Sequence, residues 1–290
     1  MTKNESKTKS VFPQNVKEYK QWINNQLAFI KQRSERIKND YPQINVNFNF
    51  ASNTPGFWKT FHSDPVTGYI NFIPDPDTES PALAQCHAAI WSKQIPGTNG
   101  KVMELSVKEE RRYRQASGER YQYYSLICNL DGKEIKFTSD IIVTDFSRYT
   151  GCRNVIQQLI SADYPAEAKA RTEQFYSSIG SFMIFPTIKD YGINPARGRN
   201  PLYDRFDLAL DCIRCYYNGE RSPLWKIFHP EEEFKDHQKL LAAIKKNQAF
   251  LNLFKAPDDT DGRQAFQRFV DFFYLQDLVT PDYSRVNFWL

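Results

Sequence analysis

The chain has 290 residues, of which 41% are hydrophobic and 15% aromatic, and its 38 basic residues stand against 34 acidic ones. This composition supplies a large core and excludes a chain that is disordered along most of its length. The formal net charge of +4 permits contact with nucleic acid but does not indicate it.

The cysteines and the lengths of the apolar runs indicate which cellular compartment to expect. The five cysteines have no framework spacing and no signal peptide is recognisable, so we expect a reducing, cytoplasmic location. Cys212 and Cys215 form a single CxxC without a second pair, so no metal site is predicted from them. The apolar runs are far shorter than the roughly 20 residues of a membrane span, so we expect no membrane partner.

The first fifty residues predict a tail, a helix and a strand. Residues 1–11 are polar and lysine-rich and are expected to be disordered, whereas residues 12–290 are interpreted as one domain. Apolar residues at helical spacing over 13–38 predict an amphipathic helix. Residues 44–50 alternate apolar side chains with asparagine, which predicts a strand with one buried face.

A helix start and a series of strands follow. Ser80 and Pro81 are typical of an N-cap and a first helical position. Strands are predicted at 102–107, 121–130, 133–138, 141–146 and 182–188, with a hairpin turn at Asp131 and Gly132. With 44–50, they predict a mainly antiparallel sheet of about five or six strands. The charged segment 108–120 is expected to be an exposed link.

The rest of the chain is predicted to be mostly helical. Helices are expected at 155–160, 165–178, after Ser222, at 231–254 and at 263–278, and residues 283–290 are expected to add an edge strand. A narrow apolar stripe predicts another helix, beginning at Phe206. The fold class is therefore α+β, with an antiparallel sheet flanked by helices and a helical C-terminal third.

Residues 180–223 hold a dense set of charges beside a predicted core strand. A conservative interpretation makes Asp204 a helix cap, places Asp207 at the positive end of the helix dipole and pairs Asp211 with Arg214. It leaves Arg197 and Arg199 unexplained, in a loop that leads into a helix.

Loops of this kind collect anions, because backbone N–H and guanidinium groups converge there. The sequence therefore predicts a phosphate or carboxylate pocket. Its expected ligand-binding residues are Lys93, Asn194, Arg197, Arg199, Asp204, Arg205, Asp207 and Arg214.

A second candidate segment spans residues 75–93. Asp75, Asp77 and His87 are the candidate catalytic residues, because two acids and a histidine can supply acid–base or metal chemistry. The alternative is that Asp-Pro-Asp forms an ordinary turn and that the single histidine is a hydrogen-bonded core residue. The catalytic hypothesis requires this segment and residues 194–207 to meet around one concavity.

Three segments carry distinctive combinations of residues. The first contains Asp75-Pro-Asp, SPAL, His87 and WSK; the second contains IN, ARG, DRFDL, CIR, YY and SPL between residues 193 and 224; the third contains FVDFF, LQDLV and DYS between 269 and 284. Together they resemble an uncharacterised bacterial family known as a domain of unknown function. Where that pattern has LPNG after WSK, this chain has the longer QIPGTNG, and residues 231–247 look like additional length. The resemblance implies no activity, substrate or cofactor.

Three functions remain open at this point, because the chain has no P-loop, GxGxxG, HExxH or GxSxG motif that would name a cofactor or reaction. The first is binding, with turnover as an option, of a small anionic or nucleotide-like ligand. The second is a non-catalytic interaction module with an exposed aromatic surface at 286–290. The third is nucleic-acid binding through the basic residues of 107–120, which three glutamates dilute.

Overall fold

The protein is described here by a computed structural model, which covers Pro13, residues 15–51, Thr54, residues 75–113, Gly118 and residues 120–130, 132–143, 177–199 and 202–289. Within these residues, nine helices accompany six strands arranged in two antiparallel sheets. The predicted α+β class is confirmed. The predicted tail at 1–11, the predicted helix at 155–160 and residues 165–176 of the predicted helix 165–178 lie outside the described residues.

The helices are, in chain order, α1 (Val16–Asp40), α2 (Pro76–Glu79), α3 (Pro81–Trp91), α4 (Ile193–Arg197), α5 (Phe206–Asn218), α6 (Trp225–Phe228), α7 (Pro230–Glu233), α8 (Gln238–Asn252) and α9 (Gly262–Phe272). Short 3-10 helices cover Ile179–Ser181 and Gln276–Leu278. The strands are β1 (Lys93–Gln94), β2 (Val102–Met103), β3 (Ser106–Tyr113), β4 (Arg120–Leu130), β5 (Lys133–Ile141) and β6 (Phe182–Pro186).

The main sheet is an antiparallel meander in the order β3-β4-β5-β6, and β1 and β2 form a separate short ladder. Leu130 pairs with Lys133 across the β4–β5 connection, and Gly132 has φ 73°, which only glycine adopts without strain. The predicted hairpin is therefore confirmed. The segment expected to be a charged link is in part strand β3, which forms the edge of this sheet.

The predicted strand at 44–50 is wrong, because the segment forms successive turns. The N–H of Asn47 donates to the side-chain oxygen of Asn45 (3.1 Å), and the N–H of Phe48 donates to the Asn45 carbonyl (3.1 Å). Asparagine side chains offer the backbone such local bonds in place of a sheet ladder. Val46 and Phe50 are still buried, so the alternation correctly identified the inward side chains.

Several predicted boundaries also change. Residues 133–141 form one strand rather than two, and the predicted helix 231–254 is interrupted between Glu233 and Gln238. The last long helix ends at Phe272, because Tyr274 takes a left-handed φ of 56°. Residues 283–289 make only one isolated bridge, between Val279 and Val286, so the predicted edge strand is absent from the described C-terminal residues.

The core sits between the sheet and the C-terminal helices. All five residues of β6 are buried, and the apolar stripe of α5 that begins at Phe206 is buried against α9. The 3-10 turn before β6 packs on α1, where a Cβ at Gly180 would lie 2.4 Å from the carbonyl oxygen of Ile30. This packing fixes the end of β5 and the start of β6, where a polar cavity opens.

Candidate functional site

A cavity of about 610 Å³ lies where α2, the end of β5, the start of β6 and α4 meet. Phe182 and Ile141 contribute to its wall. The polar side chains that line it among the described residues are Asp75, Asp77, Asp140, Ser177, Asn194, Arg197 and Asp204. We call this cavity the aspartate–arginine pocket. The two candidate segments of the sequence do meet around it.

Arg197 is the cation of the aspartate–arginine pocket and is 1% exposed. Its Nε donates to Asp204 Oδ1 (2.8 Å), and its Nη2 donates to the Ile141 carbonyl (2.7 Å) and lies 2.6 Å from Asp140 Oδ2. Its Nη1 is buried and has no partner among the described residues. An unpaired buried donor costs roughly 1–3 kcal/mol, and no contact among the described residues offsets this cost at Arg197 Nη1.

The backbone that presents Arg197 to Asp204 is strained. Tyr203 and Asp204 both have left-handed φ values, 47° and 62°, which cost roughly 1–2 kcal/mol per non-glycine residue. The N–H of Asp204 also donates to the Arg197 carbonyl (2.8 Å), which holds this turn in place. Strain of this kind persists where the surroundings fix it and is frequent at ligand sites. Asp204 is therefore not the predicted helix cap, and Arg205 occupies the N-cap position of α5.

Two carboxyl groups of the pocket have altered proton affinity. Burial, followed by repulsion from Asp75 and Asp140, raises the pKa of Asp77 well above its ordinary value, and Asp77 Oδ1 has no partner among the described residues. Burial also raises the pKa of Asp140 to about 7, although Arg197 acts in the opposite direction. Burial therefore favours the protonated form of both carboxyl groups, and Asp140 changes charge near neutral pH.

Three of the predicted ligand-binding residues lie in closed ion pairs away from this pocket. Arg205 and Asp207 are both buried and paired with each other, and Asp207 also accepts the N–H of Trp289 (2.9 Å). Arg214 pairs with Asp211 (2.7 Å), as predicted, and with Glu220 (3.0 Å).

Arg199 also lies outside the aspartate–arginine pocket. Its side chain is 56% exposed and is 3.4 Å from Asp190. It borders a second, mostly apolar cavity of about 190 Å³ that Ala196, Leu202 and Ile227 also line. Of the arginines predicted to form an anion site, only Arg197 therefore lines the larger cavity in the described part of the chain.

His87 and Lys93 do not line the aspartate–arginine pocket either. The ring Nδ1 of His87 accepts from Trp91 Nε1 (2.8 Å), so its Nε2 carries the proton and donates to Ser139 Oγ (2.9 Å). Burial, with a contribution from Arg33, lowers the pKa of His87 to about 3. His87 is thus a neutral core histidine, as the alternative interpretation of the sequence proposed.

Lys93 lies among aromatic rings and not in the predicted anion pocket. Its Nζ donates to Tyr274 Oη (3.2 Å) and is 4.5 Å from the Tyr274 ring centroid and 4.9 Å from that of Phe272. Burial lowers the pKa of this ammonium to about 8. The three motif residues His87, Trp91 and Lys93 therefore fix the end of α3 in the core.

Comparison with known proteins gives a family but no activity. The sequence model of a family of unknown function matches residues 44–239, about two thirds of the chain. The chain belongs to this family, DUF6994. No curated protein and no solved structure matches the chain. The match contains every described residue of the aspartate–arginine pocket, whereas the third motif segment, at 269–284, lies beyond it.

Two polar residues of the pocket, Asp140 and Ser177, were not predicted from the sequence, and Asp140 is the charged one. Asp140 lies on the same face of β5 as Lys136 and Thr138, and polar residues at every second position are the ordinary pattern of a solvent-facing strand surface. Its burial depends on Arg197, which comes from a segment far away in sequence. No local signal in the sequence identifies such a residue.

The described part of the chain offers neither a metal cluster nor a membrane span. In the ranges given above, no group of three or more His, Cys, Asp or Glu side chains is arranged to hold a metal ion. Nor does any described helix combine the length and the apolar character needed to cross a bilayer. The polar groups that line the aspartate–arginine pocket are carboxyl groups, one guanidinium group, an amide and the hydroxyl of Ser177.

Proposed function

We propose that the protein binds a small polar ligand in the aspartate–arginine pocket, through a ligand hydroxyl group held between Arg197 and Asp77. The observation that carries this proposal is that Arg197 lines the pocket and that its buried Nη1 has no acceptor among the described residues. Asp77 lines the same pocket, and its Oδ1 also lacks a partner there. A hydroxyl oxygen can accept from Arg197 Nη1, and the same hydroxyl group can donate to an ionised Asp77 or accept from a protonated one.

The size and lining of the pocket support a ligand with several hydroxyl groups. Small-molecule sites typically enclose about 300–1,000 Å³, and about 610 Å³ is sufficient for a monosaccharide, a disaccharide or a nucleoside. Carboxylate and amide groups are good partners for ligand hydroxyls, and four aspartates and Asn194 supply them here. The proposed ligand class is therefore a sugar or a nucleoside.

An anionic ligand, as predicted from the sequence, is the second candidate. A phosphate or carboxylate oxygen also accepts from Arg197 Nη1, which supports this version. Against it, Arg197 is already paired with Asp140 and Asp204, and an added anion would lie among four carboxyl groups. Anion binding therefore requires protons on Asp77 and Asp140, and it should strengthen as the pH falls below about 7.

The two remaining functions predicted from the sequence have less support. An interaction module with an exposed C-terminal aromatic surface agrees poorly with the burial of Val286 and Trp289, although Phe288 is exposed. In β3, Lys108 and Arg112 both pair with Glu110, which reduces the positive charge available to a nucleic acid.

A thermal-shift screen tests the proposal. Neutral sugars and nucleosides form one probe set, and sugar phosphates and nucleotides form another. A ligand at a hundred times its dissociation constant stabilises a protein by roughly 2.7 kcal/mol, which is readily measured. We expect stabilisation by the neutral set at both pH 6 and pH 8.

Two variants locate the site. Arg197→Lys retains a positive charge beside Asp140 and Asp204 but lacks Nη1, so it should lose most of the stabilisation. Arg199→Ala, which removes an exposed arginine outside the pocket, is the matched control and should respond like the wild type. Stabilisation only by the anionic set, and only at pH 6, would favour the second candidate. No stabilisation by either set would contradict both.

A further inference from the structure

We propose that Asp77 and Asp140 are a general acid and a general base, and that the pocket hydrolyses a glycosidic bond of the sugar or nucleoside that it binds. This inference rests on the proposed function and adds a reaction to it. It is carried by the position of the two carboxyl groups in the lining of one cavity, by the difference between their surroundings and by the buried atoms of Arg197 and Asp77 that have no partner among the described residues.

The fold brings the two carboxyl groups together at the end of β5. The carboxyl of Asp77, on α2, accepts a hydrogen bond from the backbone N–H of Ile141, the residue that follows Asp140. Both side chains line the aspartate–arginine pocket. Asp77 Oδ1 is buried and has no partner in the described structure, so this oxygen has no hydrogen bond to lose when a ligand binds. Proton transfer requires such an atom within hydrogen-bonding reach of the substrate.

The surroundings of the two groups favour different protonation states. Asp140 lies 2.6 Å from the guanidinium of Arg197 and accepts a hydrogen bond from Asn194, and both partners stabilise its carboxylate. No cation among the described residues pairs with Asp77. After burial, Asp75 and Asp140 are the main groups that oppose its ionisation, although Arg197 acts to lower its pKa.

The other charged group at the site is Asp204, which raises the pKa of Asp140 and is itself bonded to Arg197. Because Asp140 contacts the guanidinium of Arg197, whereas no cation among the described residues pairs with Asp77, Asp77 is the acid and Asp140 is the base. Two carboxyl groups whose surroundings separate their pKa values are the recurring arrangement for acid–base catalysis.

The proposed step is a hydrolysis. The carboxylate of Asp140 takes a proton from a water molecule, and the water oxygen forms a bond to the anomeric carbon of the sugar. The bond from that carbon to the leaving oxygen or nitrogen breaks, and Asp77 gives its proton to the leaving atom. One water is consumed, and the proton that Asp140 gains equals the proton that Asp77 loses. Arg197 Nη1 holds a sugar hydroxyl during this step. Cleavage of a glycosidic bond by a pair of carboxyl groups needs no further group.

The test uses two classes of leaving group. The full-length protein is incubated with a panel of 4-nitrophenyl glycosides, whose leaving group needs little protonation, and with methyl glycosides and nucleosides, whose leaving groups need more. Release of nitrophenol, of the free base or, from methyl glycosides, of the reducing sugar is followed from pH 5 to pH 9. We expect hydrolysis of at least one sugar type, with a bell-shaped dependence of kcat/KM on pH.

Variants separate the two roles. Asp140→Asn should lose about 100-fold or more of kcat/KM with every leaving group, because the base is needed for each. Asp77→Asn should lose a similar factor with methyl glycosides or nucleosides but much less with 4-nitrophenyl glycosides. A merely structural role for Asp77 would reduce all rates equally. Asp190→Asn, at an exposed carboxyl outside the pocket, should hydrolyse like the wild type.

The outcomes distinguish this inference from the proposed function. Stabilisation by sugars or nucleosides without hydrolysis of any probe would overturn the inference and leave ligand binding intact. An equal loss for Asp77→Asn with both leaving-group classes would overturn the assignment of the acid. If no sugar or nucleoside stabilises the protein, the proposed function fails, and hydrolysis fails with it.

Discussion

Arg197 and Arg205 are eight positions apart and are both buried, but they differ in whether every guanidinium nitrogen has a partner. Arg205 pairs with Asp207, and its guanidinium lies 5.1 Å from the ring centroid of Trp22. Asp207 in turn accepts the backbone N–H of Leu208 and of Trp289. Arg197 contacts two carboxyl groups and a carbonyl, yet its Nη1 remains unpartnered in the described structure and borders a cavity.

Under the proposed function, this difference separates a charge whose contacts the protein itself completes from one that binds a ligand. A buried ion pair that the protein itself completes has no capacity left for another molecule. A third arginine, Arg33, shows that an unpartnered N–H alone is insufficient. Its Nη2 also lacks a partner among the described residues, but its other nitrogens donate to backbone carbonyls, and it lines neither of the two cavities described above. An open polar atom becomes a candidate site only where a cavity gives access to it.

The largest expected effect concerns the buried pair of Arg205 and Asp207. Arg205→Ala leaves Asp207 buried without its cation, and removal of one partner from a buried pair costs about 3–5 kcal/mol. Urea unfolding at pH 7 measures the loss.

The matched control for this prediction is Arg36→Ala. Arg36 also makes two bonds to one aspartate, Asp277, but its side chain is 42% exposed, so we expect a loss of less than about 1 kcal/mol. Equal losses in the two variants would contradict the view that burial of the Arg205 pair determines its importance.

The second effect concerns Asp140 and depends on pH. In the unfolded chain this carboxyl releases its proton near pH 3.8, whereas in the folded protein burial raises its pKa to about 7. The folded state therefore holds an extra proton between these values, and its stability falls as the pH rises through this range. Relative to Asp140→Asn, the wild type should lose on the order of a few kcal/mol, at about 1.4 kcal/mol for each pKa unit.

Denaturant unfolding of both proteins at a series of pH values measures this change, and Asp190→Asn controls for the removal of a surface carboxyl. A difference between wild type and Asp140→Asn that stays constant from pH 4 to pH 7 would show that Asp140 is not held protonated in the fold.

Local patterns in the sequence were sufficient for most elements of the fold. The apolar period identified α1 and the stripe of α5, and the Ser80 side chain accepts the N–H of Leu83, as its position as N-cap predicts. The strand at 44–50 failed because alternation reports which side chains point inward but not whether Asn45 bonds to its own backbone. A strand and a series of turns can both produce the same pattern of buried residues.

The candidate site was predictable only in part, because two of its properties depend on distant partners. Asp77 and Arg197 were recognised from their segments, and the structure places both in one wall. Asp140 was missed because Arg197, 57 positions later in the sequence, is what covers its strand face. Arg205 was assigned to the ligand because nothing near it in sequence indicates that Trp22 and Trp289 close its surroundings.

The third effect concerns a cation that aromatic rings, rather than carboxylates, enclose. Burial lowers the pKa of Lys93 to about 8 from 10.5, so between these values the unfolded chain holds a proton that the folded protein has released. Stability should therefore rise with pH in this range for the wild type relative to Lys93→Met, which retains the aliphatic chain. Thermal unfolding from pH 7.5 to pH 10 measures it. A wild type that loses stability relative to the variant over this range would show that the rings stabilise the ammonium more than burial opposes it.

The smallest expected effect is that of Arg199→Ala. Its partner Asp190 is 3.4 Å away, and both side chains are more than half exposed, so the pair contributes less than about 1 kcal/mol. Differential scanning calorimetry should show a melting temperature close to that of the wild type, and sugar or nucleoside binding should be unchanged, whereas Arg197→Lys should abolish that binding. If Arg199→Ala instead weakened binding as much as Arg197→Lys, the ligand would have to reach across α4 to the exposed loop. The comparison of Arg197 with Arg205 would then omit a residue of the site, because an exposed cation outside the aspartate–arginine pocket would also contribute to binding.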